Sequence, residues 1–509
     1  MRSTARSLRL VIGLSLSALL LSACLIDMSR PAAAFGFGGF GRGGGGGFGR
    51  PMMGGGMRGR TMTAPRHTTG RTAGTHSSGD RTGTHYTGTH YDGGGGSRHP
   101  IIGRGFPGDT GPNLPDASLR SGGNNRGSGV PPRGERRFVA DEIIVEFSAG
   151  ATPQAIEQLA RRYNLTQLES QSFPLLRSAF SRWRIPRGRS VPNLVGVIED
   201  DRIVATAQPN YFYTLQDDAA KSDATAHGDA GQYVLGKLEV EQAHQVATGK
   251  DILVAVIDSQ IDAKHPDLAG TIVSNVDELG GEDNPPEHGT AIAGAIAAHG
   301  KLLGIAPGVR LLAARAFDDT PGKSKGTSFA IYKSLQSAAD GGARIVNMSF
   351  VGPADPALHR MLAAAYEKDM VLIAAAGNAG PDSAPLYPAA DPDVIAVTAS
   401  DSRDGLFKMA NRGQYIAVAA PGVEILALAP GDAYQIATGT SVAAAHVSGI
   451  AALLLERNPS LKPKDIRVII MSTAKPHAEF GAGLVNAYRA VIMLDRQPAG
   501  KDASPQAKQ

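Results

Sequence analysis

Apolar runs alternate with helical segments between Tyr233 and about Asp495. Six of these runs are typical of buried strands: "ILVAVID", "RLLAARAF", "ARIVNMSF", "VLIAAAGN", "DVIAVTAS" and "IAVAAPG". Their hydrophobicity is continuous rather than alternating, which is typical of strands that are covered on both faces. Residues 233–495 are therefore predicted to form an α/β domain with a mostly parallel β-sheet flanked by helices.

The segment that precedes this domain has a different pattern. From Phe138 onward we expect the order strand, helix, strand, strand, helix, strand, and the last strand is "RIVATAQPNYFYTL". Thr152 can cap the first helix, which Pro153 begins. This order is typical of a small ferredoxin-like α+β module, and we predict that residues 136–215 form it. The fold alone assigns no function to this module.

The 64 glycines and 32 prolines of the 509-residue chain are unevenly spread. Gly/Arg-rich stretches bracket a Thr/Gly/His-rich run within residues 24–135, and such composition cannot bury enough apolar surface to fold. We predict a disordered tether there. Its repeated "GTH" could bind metal loosely, but simple low complexity is favoured. Residues 216–232 are predicted to be a polar linker, and residues 496–509 a disordered tail.

Charge divides along the same boundary. The net charge is +4, yet fifteen arginines and no lysine lie between Cys24 and Arg137. From Phe138 onward, 41 acidic residues outnumber 33 basic ones. The folded part therefore gives no support to a nucleic-acid partner. The tether could contact anionic lipid or polysaccharide, although a solvated linker is the favoured interpretation.

The first residues predict export. Three arginines precede the apolar run "LVIGLSLSALLL", which is too short to span a bilayer, so residues 1–23 are interpreted as an export signal. The following "LSAC" resembles the lipobox of bacterial lipoproteins, which implies lipidation of Cys24 and membrane attachment facing the periplasm or the cell exterior. The alternative is cleavage after Ala34, which would leave a soluble exported protein. Cys24 is the only cysteine, so no intramolecular disulfide can form.

The stretch "GTSVAAAHVSG" contains a serine at a predicted helix start. Ser441 could cap the helix, act as a nucleophile, or do both. His446 is five residues further along, about 140° around a helix, so its ring faces away from the helix start. We therefore expect His446 to pack or to form hydrogen bonds rather than to serve as the base.

Other polar residues follow predicted strands or begin helices. His288 stands at a helix start in "PPEHGTAIAGAIAAHG", where an imidazole could accept a serine proton. Asp258 ends the strand "ILVAVID" and could orient that imidazole, while its rival Asp262 is expected to serve the turn. Asn378, after "VLIAAAG", could donate to an oxyanion; Asn347 lies within a strand and is the weaker candidate.

Asp258, His288, Asn378 and Ser441 occur in the order and local contexts of the subtilisin-like (subtilase) serine proteases, which the chain resembles. The matching pieces are "VAVIDSQIDAKHPDL", "HGTAIAGAIAA", "GIAPGVRLLAARAF", "NMSFVGP", "AAAGNAG" and "GTSVAAAHVSG". The resemblance implies a subtilisin-like fold with an Asp-His-Ser triad and an oxyanion site at Asn378. It also implies an exported endopeptidase made as a zymogen, whose propeptide at 136–215 acts as an intramolecular inhibitor.

The resemblance further implies a substrate pocket. The residues it places there are Ser349, Phe350, Gly352, Ala375, Ala376 and Gly377. The sequence departs from the family pattern in three places, because Gln260 stands where Gly is usual, Ala291 where His is usual and Ala445 where Pro is usual. None of these removes a catalytic atom, although efficiency and specificity could change.

Two other functions and one ligand complete the expectations. A non-catalytic binding protein on a subtilisin-like scaffold is the alternative to an enzyme, and an α/β-hydrolase is disfavoured because no G-x-S-x-G surrounds Ser441. The partners expected are a protein or peptide substrate and the chain's own propeptide. No cofactor is required; structural calcium is possible, but no dense carboxylate loop supports it.

Overall fold

A computed structural model describes residues 128–216, 232–280, 286–318 and 324–496. The predicted export signal (1–23), Cys24, most of the predicted tether, all but the two ends of the predicted linker, and residues 497–509 of the predicted tail lie outside the described residues. The described residues fall into an N-terminal α+β part and a C-terminal α/β part.

The N-terminal part has the predicted ferredoxin-like order. Its elements are β1 (Phe138–Phe147), α1 (Pro153–Tyr163), β2 (Thr166–Phe173), β3 (Ser178–Arg184), α2 (Val191–Ile198) and β4 (Val204–Leu215). The strands form an antiparallel sheet in the order β2-β3-β1-β4. The Thr152 hydroxyl accepts a hydrogen bond from the Ala155 N–H at 3.2 Å, as expected for the cap of α1.

The two faces of this sheet bury different partners. On one face, apolar residues of α1 and α2 such as Leu159 and Ile198 pack against Ile143 and Val145 of β1. On the other face, Ile144, the neighbour of both in sequence, belongs to a second cluster that includes residues of the C-terminal part. This division follows from the two-residue period of a strand.

The C-terminal part contains the remaining elements. Its strands are β5 (Leu253–Asp258), β6 (Ile272–Asp277), β7 (Arg310–Arg315), β8 (Phe317–Asp318), β9 (Lys325–Thr327), β10 (Ile345–Met348), β11 (Phe350–Val351), β12 (Val371–Ala375), β13 (Val394–Ser400), β14 (Ile416–Pro421), β15 (Ile425–Ala429) and β16 (Ala433–Ala437). Its helices are α3 (Tyr233–Lys237), α4 (Val240–His244), α5 (Glu287–Ala297), α6 (Ser328–Asp340), α7 (Pro356–Glu367), α8 (Thr440–Arg457), α9 (Pro463–Thr473) and α10 (Ala487–Met493). Short 3-10 turns lie at Pro266–Leu268 and Leu494–Arg496.

Seven strands form a parallel sheet in the order β14-β13-β12-β10-β5-β7-β6. Six of them correspond to the six predicted buried runs, so the α/β prediction with a parallel sheet is confirmed. The seventh, β6, was not predicted. It is an edge strand in which half-buried and exposed residues alternate, so it lacks the continuous apolar run of a buried strand.

Helix α8 is buried on all sides from Thr440 to Leu455 and packs against the central strands β10, β12 and β13. Its small residues allow this close packing. The carboxyl ends of parallel strands meet at one edge of a sheet, so β5 and β12 end there, near the beginning of α8. No helix in the described ranges is long and apolar enough to cross a membrane.

The end of β4 joins the two parts. Its residues Phe212–Thr214 pair antiparallel with β9, and Thr214 and Leu215 pair antiparallel with β11. The last residues of the N-terminal part therefore lie as a strand between two strands of the C-terminal part.

Candidate active site

Asp258 and His288 form a buried pair. Asp258 is the last residue of β5, and His288 lies in the first turn of α5. The Nδ1–H of His288 donates to Oδ1 of Asp258 at 2.6 Å, and the same oxygen accepts the N–H of Ser259 at 2.7 Å. The carboxylate thereby fixes the orientation of the imidazole and keeps the proton on Nδ1.

A glycine lets α5 approach β5 this closely. A Cβ at Gly289 would lie 2.6 Å from the carbonyl oxygen of Ser259 and 2.9 Å from that of Gln260. The Gly289 N–H also donates to the Ser259 hydroxyl at 3.0 Å. Gly289 is therefore required to set the position of the neighbouring His288.

Ser441 is the second residue of α8 and is fully buried. Its Oγ donates to the carbonyl oxygen of Gln216 at 2.8 Å. The residue before the helix is Gly439, and no side chain caps α8, so the capping role considered for the Ser441 hydroxyl is wrong. A Cβ at Gly439 would lie 2.6 Å from the same Gln216 oxygen, which explains a glycine there.

Asn378 reaches the same carbonyl from the end of β12. Its Nδ2 donates to the Gln216 oxygen at 3.1 Å. Its Oδ1 accepts from both the N–H and the hydroxyl of Thr440, at 3.1 and 2.9 Å. Thr440 thus fixes which end of the amide faces the carbonyl.

The structure places these four predicted residues in two hydrogen-bonded groups. Ser441 and Asn378 both bind the carbonyl of Gln216, and Asp258 binds His288. Within the described part of the chain, no hydrogen bond joins the Ser441 hydroxyl to the His288 ring, because the hydroxyl donates to Gln216 instead.

Gln216 was not singled out from the sequence, which assigned it to the linker. Its backbone N–H donates to the Ser349 carbonyl at 3.4 Å, and its Oε1 accepts the Asn378 N–H at 2.7 Å. Gln216 is 9% exposed. The sequence did contain a local signal for the position of Gln216, because the strand pattern of β4 continues up to Leu215, the residue before it.

The predicted pocket residues fall into two groups. Phe350 and Gly352 flank β4: the Phe350 ring lies edge-on to Tyr213 at 5.8 Å, and a Cβ at Gly352 would lie 2.3 Å from the Tyr213 ring. Ser349 contributes its carbonyl to Gln216, while its hydroxyl donates to the Ser441 carbonyl at 3.1 Å. The Ser349 side chain is thus engaged with α8.

The other group lies beside Asn378. Gly377 has φ +111°, a left-handed conformation that favours glycine, and its N–H donates to the Thr440 hydroxyl at 3.1 Å. Ala375 and Ala376 are completely buried; the Ala376 N–H donates to Val397 and its carbonyl accepts from Tyr415. These bonds hold Ala376 within the sheet rather than to β4.

Three less favoured candidates have structural partners. The Nδ1–H of His446 donates to the Pro421 carbonyl at 2.9 Å, and burial lowers the pKa of His446 to about 4. The Asp262 carboxylate accepts hydrogen bonds from the backbone N–H groups of Lys264 and Gly431. Asn347 bridges the hydroxyls of Ser349 and Ser448, at 2.9 Å each. His446 is therefore neutral near pH 7, and each of the three stabilises local structure.

No cluster of three or more metal-binding side chains occurs among the residues that the structure describes. Structural calcium therefore stays a prediction that rests on the resemblance alone.

The fold, the buried Asp–His pair, and the serine and amide donor on one carbonyl are the components of a serine hydrolase-type site. Comparisons with known proteins identify the family. Residues 249–490 match the model of the subtilase family, and residues 124–210 match the fervidolysin N-terminal prodomain.

Proteins with similar sequences support the same family assignment. Thermitase of Thermoactinomyces vulgaris is 35% identical over 51% of this chain and 95% of its own length. A thermophilic serine proteinase of Bacillus sp. (strain AK1) is 31% identical over 70% of this chain and 88% of its own length.

Fervidolysin of Fervidobacterium pennivorans is 32% identical to this chain. The matched region covers 52% of this chain and 43% of fervidolysin. Its crystal structure, described as that of a keratinolytic enzyme related to subtilisin, matches with a TM-score of 0.60 and 25% identity over 71% of this chain and 62% of that chain.

The chain belongs to the subtilase family, and it is a subtilisin-like serine endopeptidase with an N-terminal prodomain. We call residues 128–216 the prodomain and residues 232–496 the catalytic domain.

Proposed function

We propose that the protein is an exported serine endopeptidase made as a self-inhibited zymogen, with Ser441 as nucleophile. The observation that carries this is the carbonyl of Gln216, which is held by Ser441 Oγ at 2.8 Å and Asn378 Nδ2 at 3.1 Å. A carbonyl in this position is poised for attack by the neighbouring hydroxyl.

The reaction follows from these contacts. Ser441 Oγ turns from the oxygen of Gln216 to its carbon and forms a C–O bond, while His288 Nε2 takes the hydroxyl proton. Asp258 stabilises the resulting imidazolium. The negative charge that develops on the carbonyl oxygen is stabilised by Asn378 Nδ2 and the Ser441 N–H.

The tetrahedral intermediate then collapses. The C–N bond to Asp217 breaks, and His288 returns its proton to the leaving nitrogen. Water, deprotonated by His288, next attacks the acyl-enzyme and releases the Gln216 carboxylate. Each acid–base and charge-stabilising role has a side chain or an N–H, so the proposed chemistry requires no cofactor.

The same contacts support a proposal for the scissile bond and for the inhibited state. Gln216 would be the last prodomain residue, so the Gln216–Asp217 bond is the one that the enzyme cuts in its own chain. Leu215, Thr214 and Tyr213 then occupy the positions of substrate residues before it. A prodomain that stays paired with β9 and β11 after the cut keeps other peptides out.

Export rests on the sequence of the leader. We propose that residues 1–23 direct export and that Cys24 is lipidated, attaching the protein to a membrane surface. Intact mass of the exported protein separates this from cleavage after Ala34, because only the first adds lipid to the N-terminal residue.

Ser441→Ala tests the catalytic role. The variant should lose peptide hydrolysis by about 10⁴-fold or more and should no longer react with a fluorophosphonate, because the activated oxygen is gone. Ser460→Ala, at an exposed serine, is the matched control and should behave as wild type. A wild-type protein that folds but neither reacts with the probe nor cleaves peptides would instead support the non-catalytic binding function.

A further inference from the structure

Strand β9, which pairs with the end of β4, carries Lys325. In the antiparallel pairing of β4 with β9, Lys325 lies opposite Thr214 and Thr327 lies opposite Phe212. Directly opposite residues project to the same face, and so do residues two apart along a strand. The side chains of Lys325, Thr214 and Phe212 therefore share one face.

The ammonium group of Lys325 turns toward β4. Its Nζ lies 5.3 Å from the centre of the Phe212 ring. Asp318 lies opposite Lys325 on the other side, in β8. The position of Nζ thus directs the charge of Lys325 toward β4.

A cavity of about 590 Å³ opens on this face. Residues of both domains line it, and they include Arg136, Arg137, Phe212, Thr214 and Lys325. Three of these described lining residues are cationic and none is acidic. Arg136 and Arg137 belong to the prodomain, so only Lys325 remains among these cations when the prodomain leaves.

We propose that Lys325 determines specificity in the mature enzyme, favouring peptides with an acidic side chain at the third residue before the scissile bond. This rests on the proposed function, because it takes Gln216 as the last residue before the cut. The third residue is then the position of Thr214, directly opposite Lys325. The prodomain places a neutral, exposed threonine there, so it leaves this attraction unused.

The test compares peptides of the form Phe-Tyr-X-Leu-Gln followed by a common leaving sequence, with X as Glu, Gln or Lys. We expect kcat/KM for Glu to exceed that for Gln by about two- to fivefold, as for one exposed ion pair, and Lys to be lowest. Lys325→Glu should invert the order, and Asp318→Asn should increase the preference for Glu. The preference should shrink as salt rises.

Lys464→Glu, on the exposed side of α9, is the matched control: it changes the net charge equally and should leave the order unchanged. Equal rates for the three peptides, or a Glu preference that survives Lys325→Glu, would overturn the proposal while peptide cleavage itself still supported the proposed function.

A second measurement needs no turnover. Trp183 is the only tryptophan of the chain and is buried in the prodomain core, so its fluorescence reports prodomain unfolding. In full-length Ser441→Ala protein, Thr214→Glu should raise the urea midpoint of that signal and Thr214→Lys should lower it. Lys325→Glu should reverse both shifts, and the same shifts in its presence would contradict the assignment.

Discussion

The prodomain and the catalytic domain bury their sheets in different ways. The parallel sheet of the catalytic domain is covered on both faces by its own helices, and it holds Asp258, His288, Asn378 and Ser441 by itself. The prodomain covers only one face with its own helices and buries Tyr211, Tyr213 and Phe180 against the catalytic domain. The candidate active-site residues thus all belong to the catalytic domain, whereas one face of the prodomain sheet is buried only by docking.

Polar contacts at the interface support the same distinction. Asp355 caps α7, receiving the N–H groups of Ala357 and Leu358, and it also accepts hydrogen bonds from Ser328 and Tyr332 of the catalytic domain. Gln208 of the prodomain adds one more donor at 2.8 Å. Asp355 therefore keeps four hydrogen-bond donors of the catalytic domain when the prodomain leaves. Release of the prodomain thus does not leave the buried Asp355 carboxylate without partners.

Removing the Tyr213 side chain should affect docking most. Tyr213 is fully buried between Phe350 and Gly352, and its hydroxyl donates to the Pro353 carbonyl at 3.2 Å. Tyr213→Ala should weaken docking by about 3–5 kcal/mol, the usual cost of deleting a buried aromatic ring. The urea midpoint of Trp183 fluorescence should fall in Ser441→Ala protein, and peptide hydrolysis should appear earlier in the otherwise wild-type protein.

Tyr163→Ala is the control for this prediction. Tyr163 packs half-buried against the prodomain's own core, away from the catalytic domain. Loss of the Tyr163 side chain should destabilise the prodomain less than loss of the Tyr213 side chain. It should leave the pairing of β4 with β9 and β11 unchanged. If both variants release activity equally, docking at Tyr213 would have no special role.

A smaller effect is expected from acid. Burial raises the pKa of Glu146, but the hydrogen bond and charge of Arg360, with the Ser178 and Thr206 hydroxyls, outweigh burial and hold that pKa below its ordinary value of 4.5. Because docking lowers the pKa of Glu146, the ionised Glu146 stabilises the docked prodomain fully above pH 4.5. This stabilisation is lost as pH falls through the lowered pKa.

Glu146→Gln should therefore weaken docking by about 1 kcal/mol at neutral pH and flatten its pH dependence in acid. The urea midpoint of Trp183 fluorescence at neutral and acidic pH measures this. Glu157→Gln is the control, since Glu157 pairs with Arg161 on the exposed side of α1. An unchanged acid response in Glu146→Gln would exclude Glu146 as its source.

The sequence predicted the fold, and it indicated the candidate site residues, because both depend on local patterns in the chain. Continuous apolar runs indicated six of the seven parallel strands, and Asp258, His288, Asn378 and Ser441 stood out beside strand ends and helix starts. In the structure Ser441 and Asn378 both contact the Gln216 carbonyl and Asp258 binds His288, whereas their catalytic roles stay predictions.

The features that were missed depend on distant partners. The two-residue strand β11 and the three-residue strand β9 are too short to have a pattern, and both pair with the distant strand β4. The place of Gln216 follows from that register, and the place of Thr440 follows from the Asn378 amide. Ser349 was predicted to border the pocket, yet its hydroxyl faces α8.

The most direct test of the account is the mass of the two fragments that the full-length protein makes of itself. The account predicts a prodomain fragment that ends at Gln216 and a catalytic fragment that begins at Asp217, with purified Ser441→Ala protein remaining uncut. A first cut at another bond between residues 217 and 232, or identical cutting of purified Ser441→Ala protein, would contradict it.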